Sequence, residues 1–435
     1  MIRRIAITVV AVASIGLVIF FILSWRPAIA PIERPNPASF SAESVAKGEI
    51  LSSEGHCVSC HIRPGGQPFA GGYGVNTPFG VIYGTNITPD AQTGIGAWSL
   101  VAFTRAMREG VSRDGHHLYA AFPYTAFTEL SDDDINALYA YLMTRPPVRA
   151  TVPPNTVPFP LNIRLLEEGW KILFFRKRAF HPDPAKSLEW NRGAYLSEAV
   201  SDCGGCHTPR NVLGAEELRH AYAGTVIDHW IAPPLTGANP SPVPWTQEEL
   251  FNYLRTGVGR LHGAAIAATM TPIVRDALDA PVVPDADVRA LATYFSDING
   301  AGARVGNVEA TVTKAVKTSA LHHDEQYDAD ANLYASACLS CHYNSETGPN
   351  EKRPELALNS ALELPEPTNF IQPVLRGVGS RDGAPGLVMP AYSSLSDAEV
   401  ARIAAYLRRT RTTRAPWPDL EKKVSAARRQ LAKSQ

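Results

Sequence analysis

All six cysteines of this 435-residue chain lie in three copies of one short pattern, C-x-x-C-H. The copies are Cys57-Val58-Ser59-Cys60-His61, Cys203-Gly204-Gly205-Cys206-His207 and Cys338-Leu339-Ser340-Cys341-His342. Two cysteines three positions apart share one face of a helix, so both thiols can reach the two vinyl groups on one edge of a porphyrin. The histidine that follows can then present an imidazole nitrogen to the iron. The pattern is the attachment signature of c-type haem, and three copies predict three covalently bound haem c groups.

Each motif residue therefore has a predicted role. The predicted thioether residues are Cys57, Cys60, Cys203, Cys206, Cys338 and Cys341. The predicted axial iron ligands are His61, His207 and His342. Three other uses of paired cysteines fit less well. A zinc site needs a second cysteine pair to complete its tetrahedron and does not require a histidine after each pair. A disulfide framework predicts irregular cysteine spacings. A redox-active dithiol would be expected once in the chain, beside a βαβ pattern.

The sixth iron ligand of a low-spin haem is often a methionine, and the chain has only five methionines. Met389 precedes Pro390 and lies 47 residues past His342, and Met270 lies 63 residues past His207. These positions predict Met389 and Met270 as sixth ligands. Met143 lies beyond the last predicted helix of its repeat and is interpreted as a packing residue.

The first haem departs from this arrangement. The loop equivalent to Met389-Pro390 reads Ala121-Phe122-Pro123-Tyr124, and a phenylalanine cannot bind iron. Three alternatives remain for the sixth ligand of this haem. The ligand is His116 or His117 of the same loop, it is Met107 of the preceding helix, or the sixth position is open. Met107 aligns with core leucines of the other two repeats, so a histidine is favoured, His117 before His116. Ligation by two histidines is expected to lower the potential of that haem relative to the other two.

The sequence around each motif also repeats, which predicts three domains. An amphipathic stretch leads into each motif, and each repeat closes on a helix with Ser or Asp capping signals. The leading stretches are Lys47-Gly48-Glu49-Ile50-Leu51, Arg192-Gly193-Ala194-Tyr195-Leu196 and Ala331-Asn332-Leu333-Tyr334. The closing helices start at Leu130-Ser131-Asp132, Val283-Pro284-Asp285 and Leu395-Ser396-Asp397. No β alternation of comparable strength is present, so the predicted fold is mostly α, with three tandem class I-like cytochrome c domains. Each domain is small, and a buried porphyrin would supply much of its core.

The predicted boundaries follow proline clusters and polar stretches. The three domains are predicted at 40–150, 186–300 and 325–412. Residues 1–25 form a membrane anchor or signal, residues 151–185 form a linker with an apolar helix, and residues 413–435 form a basic tail. Leu161 to Phe175 of the linker has helical apolar spacing, which favours packing between domains; contact with a membrane surface is the alternative. The tail is interpreted as a solvated terminal helix.

The amino terminus predicts export. Arg3 and Arg4 precede an uncharged apolar run from Ile5 to Leu23, 19 residues and long enough to cross a bilayer. Trp25 and Arg26 then provide an interfacial aromatic and a positive residue. A retained anchor is favoured over a cleaved signal, whose apolar core is normally shorter. Under both interpretations the residues beyond 30 lie outside the cytoplasm.

Composition and charge exclude several classes of protein. Hydrophobic residues make up 45% and charged residues 19%, which argues against disorder. The 41 basic and 42 acidic residues nearly cancel, so nothing indicates a nucleic-acid partner. The chain also lacks a nucleophile motif, a phosphate-binding glycine loop and a dinucleotide fingerprint. Substrate chemistry of its own is therefore not expected.

The sequence resembles the membrane-anchored triheme cytochrome c subunits of bacterial periplasmic dehydrogenases, of the alcohol, gluconate and aldehyde dehydrogenase type, from about residue 40 to 410. The resemblance rests on four segments in addition to the C-x-x-C-H pattern. These are Thr77-Pro78-Phe79-Gly80-Val81-Ile82-Tyr83-Gly84-Thr85-Asn86-Ile87-Thr88-Pro89-Asp90, Thr93-Gly94-Ile95-Gly96-Ala97-Trp98-Ser99, Arg192-Gly193-Ala194-Tyr195-Leu196 and Cys206-His207-Thr208-Pro209-Arg210-Asn211.

The resemblance implies a catalytic partner subunit (quinoprotein, flavin or molybdenum enzyme) and ubiquinone or a terminal oxidase as acceptor, at the periplasmic side of the inner membrane. Many members carry Met-Pro where this chain has Phe122-Pro123, and the phenylalanine variant looks most like cytochromes that partner molybdenum hydroxylases.

Three functions are compatible with the sequence. The favoured one is an electron-transfer subunit without catalysis of its own. A haem enzyme of the peroxidase type, acting at an open first haem, is the second. A soluble shuttling cytochrome is the third, and it requires cleavage of the amino-terminal helix.

Overall fold

The computed structural model of the chain describes residues 1–262, 264–265, 270–320, 328–342, 354–379 and 389–434. This part of the chain is mostly helical, as predicted, and its only sheets are three two-stranded antiparallel hairpins. The chain divides into two compact units. The first unit contains residues 1–182 and 198–202, and the second contains 183–197 and 203–435.

The first unit holds seven α-helices, a short 3-10 helix (Pro37–Ser39) and one hairpin. The helices are α1 (Ile2–Ser24), α2 (Ala42–Glu54), α3 (Cys57–Cys60), α4 (Leu100–Glu109), α5 (Tyr124–Phe127), α6 (Asp132–Thr144) and α7 (Leu166–Phe174). The hairpin pairs β1 (Gly74–Thr77) with β2 (Gly80–Tyr83). Among the described helices, α1 alone is long and apolar enough to cross a membrane, with a mean hydropathy of 2.9 and a surface that the rest of the chain leaves exposed.

The second unit contains the second and third motifs. Its helices are α8 (Leu188–Tyr195), α9 (Cys203–His207), α10 (Gln247–Thr256), α11 (Met270–Pro272), α12 (Asp285–Ile298), α13 (Ala301–Arg304), α14 (Val308–Ala320), α15 (Ala329–Tyr334), α16 (Ser340–His342), α17 (Thr368–Arg376), α18 (Asp397–Arg411) and α19 (Leu420–Ser434). Its strands are β3 (Thr225–Ile227), β4 (Trp230–Ala232), β5 (Val258–Gly259) and β6 (Ala264–Ala265). The hairpins have only two to four residues per strand, too short for an alternating pattern to reveal them.

The helix caps follow the sequence signals in two of the three closing helices. The Ser131 hydroxyl accepts from the backbone N–H of Asp134 at the start of α6. Ser396 and Glu399 form a complete capping box at the start of α18. The second repeat differs, because Pro284 occupies the cap position of α12 and has no side chain that can accept a hydrogen bond.

The leading and closing helices cross closely in the first two repeats because a glycine lies at each crossing. A Cβ at Gly48 of α2 would come within 2.0 Å of the Ala137 carbonyl oxygen of α6. A Cβ at Gly193 of α8 would come equally close to the Ala290 carbonyl of α12. Gly48 and Gly193 therefore allow the backbones of the leading and closing helices to touch, in addition to being part of an amphipathic pattern.

An ion pair joins the leading and closing helices in each repeat. Lys47 Nζ lies 2.6 Å from Asp134 Oδ1, and Arg192 Nε lies 2.7 Å from Asp287 Oδ1. In the third repeat the charges are reversed, with Arg402 of α18 2.6 Å from Asp330 of α15. The tyrosines Tyr334 and Tyr406 complete this last crossing, with ring centroids 5.6 Å apart.

An arginine holds the start of each closing helix. Arg108 of α4 donates to the Leu130 carbonyl and to Asp132 Oδ1, both at 2.7 Å. In the second repeat, Arg255 of α10 donates in the same way to the Val283 carbonyl and Asp285 Oδ1, again at 2.7 Å.

The third repeat takes this arginine from the tail. Arg428 of α19 donates to the Leu395 carbonyl at 2.6 Å and to Asp397 Oδ1 at 2.8 Å. Val424 of α19 is fully buried against Ile371, Val374 and other apolar residues of α17 and α18. The expectation of a solvated terminal helix is therefore wrong: α19 packs as part of the second unit.

Candidate haem-attachment sites

Short helical turns present the cysteine pairs. Cys57 and Cys60 begin and end α3, and Cys203 and Cys206 lie in α9. In the third motif, a π-helical segment from Ala335 to Leu339 carries Cys338 and continues into α16 with Cys341. All six thiols are free of disulfides. Each pair thus lies within one helical turn, the spacing that two vinyl additions on one porphyrin edge require.

The motif histidines share one hydrogen-bond arrangement. His61 Nδ1 lies 2.6 Å from the Thr85 carbonyl oxygen, and His207 Nδ1 lies 2.8 Å from the Pro233 carbonyl oxygen. His342 Nδ1 lies 3.2 Å from the Pro354 carbonyl oxygen. Because a carbonyl only accepts, Nδ1 must carry the proton and Nε2 keeps its lone pair. A bond of this kind fixes the tautomer and ring orientation of a metal-binding histidine.

Burial keeps these imidazoles neutral. It lowers the pKa of His61, His207 and His342 below the usual value, and their carbonyl bonds oppose this only partly. Neutral imidazole is the form that binds iron. The residues that accept from Nδ1 were not identified from the sequence. In two of the three motifs the accepting carbonyl belongs to a proline, Pro233 or Pro354, and this is the sequence feature that could have pointed to it.

Three thiols of the first and third motifs do not have the character of a redox dithiol. Burial raises the pKa of Cys57 and of Cys338 to about 11 and also raises the pKa of Cys60. Redox-active C-x-x-C cysteines have lowered pKa values instead. Among the residues that the structure describes, no group of three His, Cys, Asp or Glu side chains is placed to hold a metal ion by itself. The raised pKa values oppose the redox alternative.

The first motif packs directly against the loop that accepts from its histidine. A Cβ at Gly84 would lie 1.8 Å from the Cys60 carbonyl oxygen, so only glycine permits this approach. The next residue, Thr85, supplies the carbonyl for His61. The buried Asn86 then accepts from the backbone N–H of Thr88 at 2.9 Å. The segment Gly84-Thr85-Asn86, which carries part of the family resemblance, therefore has a structural role at this site.

The predicted sixth ligand Met389 lies on a loop tied to the third motif. Met389 forms an isolated antiparallel bridge with Val378 at the end of α17. Three residues later, the Tyr392 hydroxyl donates to the Ala337 carbonyl at 2.6 Å, one residue before Cys338. Met270 begins α11 and is half-buried. The residues between β6 and Met270 lie outside the described part of the chain.

The backbone register supports the alignment of Phe122 with Met270, but not with Met389, because Met389 itself forms the bridge with Val378 after α17. After the glycine that ends α4, Val111 forms a bridge with His117, and after the glycine that ends α10, Val258 pairs with Ala265. Phe122 lies five residues beyond His117, and Met270 lies five residues beyond Ala265. The first site thus has a phenylalanine where the second has a thioether, and Phe122 packs edge-on against Phe127 with centroids 5.5 Å apart.

The side chain of His117 has partners at both ring nitrogens. Nε2 donates to the Ser24 carbonyl at 2.7 Å, so Nδ1 carries the lone pair and accepts from Lys171 Nζ at 3.1 Å. The Glu168 carboxylate lies 3.4 Å from the same Nδ1. A role as iron ligand would require His117 to leave these partners.

The other two candidates have different surroundings. His116 is exposed to solvent, and Met107 is buried on α4, as expected for a core residue. No hydrogen bond or ring contact joins His116, His117 or Met107 to His61 in the described part of the first unit. The sixth ligand of the first haem therefore stays a prediction.

The described residues fit covalent haem c. At each motif the chain provides two thiols in one turn and a neutral imidazole whose Nδ1 is held by a carbonyl. This is the donor set of a c-type haem with one histidine ligand. The predicted sixth ligands Met270 and Met389 follow the second and third motifs in the sequence, and their role stays a prediction.

Comparison with protein families gives two matches. Residues 45–146 match the family described as "Cytochrome c". Residues 325–407 match the family described as "Cytochrome C oxidase, cbb3-type, subunit III". The first and third motifs lie inside these matches, and the presence of cytochrome c domains indicates covalently bound haem c.

The chain is also similar to cytochrome subunits of several dehydrogenases. It is 34% identical to a fructose dehydrogenase cytochrome subunit of Gluconobacter japonicus, covering 86% of this chain and 80% of that protein. It is 34% identical to a gluconate 2-dehydrogenase cytochrome c subunit of Pantoea cypripedii, covering 84% and 85%.

A third relative is much longer. The chain is 42% identical over 93% of its length to a nicotinate dehydrogenase subunit of Pseudomonas putida, but spans only 34% of that protein. Because the match covers most of the length of the two shorter relatives, the chain belongs to the family of cytochrome c subunits of dehydrogenases.

Proposed function

We propose that the chain carries electrons from the catalytic subunit of a dehydrogenase to quinone or a terminal oxidase, through three covalently bound haem c groups. The single observation that supports this most strongly is the threefold recurrence of a cysteine pair followed by a neutral histidine with its Nδ1 on a backbone carbonyl. When bound, the haem iron supplies one-electron oxidation and reduction. The cysteines of the chain would attach it, and the carbonyls that accept from Nδ1 would orient its histidine ligands.

Three domains, at 40–150, 186–300 and 325–412, would each hold one haem. Support comes from the repeated helix crossings and ion pairs, and from the arginine at the start of every closing helix. In this proposal His61, His207 and His342 are the axial ligands, and Met270 and Met389 complete the second and third sites. A methionine opposite a histidine raises the reduction potential, so the first site, with Phe122, would have the lowest of the three.

The catalytic partner is proposed to be a molybdenum hydroxylase, with a flavin enzyme or a quinoprotein as alternatives. This rests on the similarity over 93% of the chain to a subunit of nicotinate dehydrogenase, and on Phe122 in the first-repeat loop. The substrate class that this favours is an aromatic N-heterocycle.

The complex is proposed to lie at the periplasmic side of the bacterial inner membrane, held by α1. The 23-residue α1 would span about 34 Å, enough to cross a hydrocarbon core of about 30 Å. Arg3 and Arg4 would remain in the cytoplasm, in keeping with the orientation rule for basic residues.

The experiment uses the complex of this chain with its catalytic subunit. Addition of the dehydrogenase substrate should reduce all three haems, seen as growth of the reduced α-band to the level that dithionite reaches. Haems that stay oxidised, while the complex still turns over with an artificial acceptor, would show that electrons bypass this chain.

A haem enzyme acting at the first site is the second candidate, because Phe122 removes the thioether there and His116 is exposed nearby in the chain. Carbon monoxide binding by the reduced chain separates the two functions. Electron transfer through three filled sites predicts little binding, whereas one full equivalent would favour catalysis at the first haem.

A further inference from the structure

The short helix α7 has its polar face buried and its apolar face exposed. Lys171 is only 5% exposed, whereas its neighbours Ile172 and Leu173 are 48% and 63% exposed. A surface helix of a water-soluble domain has the opposite arrangement. The outer face of α7 therefore fits a non-aqueous environment.

Specific bonds hold the polar face inward. Lys171 Nζ donates to the carbonyls of Glu109 and Gly110, both at 2.7 Å, and so caps the carboxyl end of α4. It also lies 3.1 Å from His117 Nδ1. The buried ammonium group is well provided with acceptors, so rotating α7 to bury Leu173 would leave these groups unsatisfied.

Further large apolar side chains are exposed in the segment that leads into the helix. It consists of Phe159 (78% exposed), Leu161 (42%), Ile163 (42%), Leu166 (41%), Ile172 (48%) and Leu173 (63%). Six large apolar side chains within fifteen residues are more than the scattered single residues of an ordinary surface. This set, residues 159–173, is called the α7 face below.

The α7 face adjoins the end of α1 that would leave the membrane. Glu168 Oε1 accepts from Arg26 at 3.1 Å, and His117, bonded to Lys171, donates to the carbonyl of Ser24, the last residue of α1. A Cβ at Gly169 would lie 3.7 Å from the ring of Phe20, in ordinary van der Waals contact. If α1 spans the bilayer, α7 therefore lies at the level of the lipid headgroups.

Charge and aromatic residues agree with that level. Trp25, which follows α1, is 67% exposed, and tryptophan is enriched at membrane–water interfaces. Three exposed basic residues follow α7. Lys177 pairs with Glu109 and Arg178 pairs with Glu129, whereas the recorded bonds of Arg176 go to the backbone carbonyls of Ile172 and Phe175. Arg176 is therefore the basic residue that would face anionic headgroups.

We propose that the α7 face lies in the outer interface of the membrane and is covered by lipid, as a second attachment beside α1. This rests on the proposed anchoring by α1. Two attachments would stop the first unit from rotating freely about the single chain that leaves the membrane, and would present the first motif to the bilayer in one orientation.

The test uses the full-length, haem-loaded chain in vesicles of phosphatidylcholine and phosphatidylglycerol. Single variants Leu173→Cys, Val10→Cys and Val212→Cys are labelled with an environment-sensitive fluorophore. Val212 is the control, since it is apolar, 92% exposed and part of the second unit. The unmodified chain, whose six cysteines would be held as thioethers, measures background labelling. Quenching is compared between aqueous iodide and a lipid-attached nitroxide.

The proposal predicts that nitroxide, and not iodide, quenches the label at position 173, while position 212 shows the reverse. If position 173 is as open to iodide as 212 while position 10 lies in lipid, the α7 face is in water and the inference fails, but the anchor stands. If position 10 is also open to iodide, the anchor fails and the inference with it. A label at 173 that neither agent quenches would show that the position is buried against protein, of this chain or of a second copy, and would equally overturn the proposal.

Discussion

Each motif histidine has its Nδ1 proton on a backbone carbonyl, and this bond leaves Nε2 ready to bind iron. In the first motif the carbonyl belongs to Thr85, and the approach of its loop depends on the absence of a side chain at Gly84, whose Cβ would come within 1.8 Å of the Cys60 carbonyl. The sequence was sufficient to predict the cysteines and histidines as haem-binding residues, because the porphyrin fixes their spacing. It was not sufficient to identify Thr85, Pro233 and Pro354, because a backbone carbonyl can belong to any residue type.

Gly84→Ala should displace the Thr85 loop from the first motif. Overpacking of this kind typically costs about 1–3 kcal/mol of stability. The expected result is a lower free energy of unfolding and incomplete haem attachment at Cys57 and Cys60, measured by urea unfolding and by mass analysis of the peptide that carries them. Gly302→Ala is the control, because nothing lies within 4 Å of its Cβ position. Equal behaviour of the two variants would contradict the close approach.

His262 should make the stability of the second unit fall in acid. Its ring is fully buried, stacks on Trp245 with centroids 3.5 Å apart, and lies 2.8 Å from the Ser241 hydroxyl at Nδ1. Burial, helped by the charge of Arg304, lowers its pKa to about 3, whereas in the unfolded chain it is 6.5. The unfolded chain therefore binds a proton below pH 6.5 that the folded chain does not, and stability falls as the pH decreases from 6.5 toward 3.

The expected slope from this group is about 1.4 kcal/mol per pH unit. Between pH 6.5 and pH 5 the wild-type chain should lose about 1.6 kcal/mol more than His262→Phe, which can retain the stacking on Trp245 but cannot titrate. Urea unfolding followed by tryptophan fluorescence measures the difference. Parallel pH dependences of the two chains would show that His262 is accessible to protons in the folded state.

At the level of helices, an arginine donates to a backbone carbonyl at the start of each closing helix, but the three arginines come from different parts of the chain. Arg108 and Arg255 come from the preceding helix of their own repeat, whereas Arg428 comes from α19, at the carboxyl end. The apolar spacing of the tail was visible in the sequence. Periodicity tells which face of a helix is apolar but not what covers it, so the tail was wrongly interpreted as solvated. The same limit applies to α7, whose buried polar face no pattern reveals.

Arg428→Ala should release α19 from the second unit. The lost bonds to the Leu395 carbonyl and the Asp397 carboxylate are charge-assisted, and each is typically worth about 1.5–3 kcal/mol. We expect lower thermal stability and faster proteolysis after residue 412. Arg429→Ala is the matched control, since Arg429 is exposed and its guanidinium donates to the Ser425 hydroxyl of the same helix. The role of Arg428 would be refuted by a tail that is cleaved at the same rate in both variants.

At the level of the whole molecule, the mostly helical fold and the family follow from the repeated motifs and their flanks. The division into three domains stays a prediction, since the chain separates into two compact units and the family matches cover the first and third motifs. The relay proposed here needs all three motifs to be occupied. The first of them, with Phe122 at the position of Met270, is the one whose properties should differ, because its sixth ligand cannot be a thioether from that loop.

The most direct test is a haem count on the purified full-length chain, with the pyridine haemochrome assay and thiol titration of the denatured protein on the same sample. Three equivalents of covalently bound haem per chain and no titratable thiol are expected. Two equivalents, with two reactive thiols at one motif, would contradict a three-haem relay.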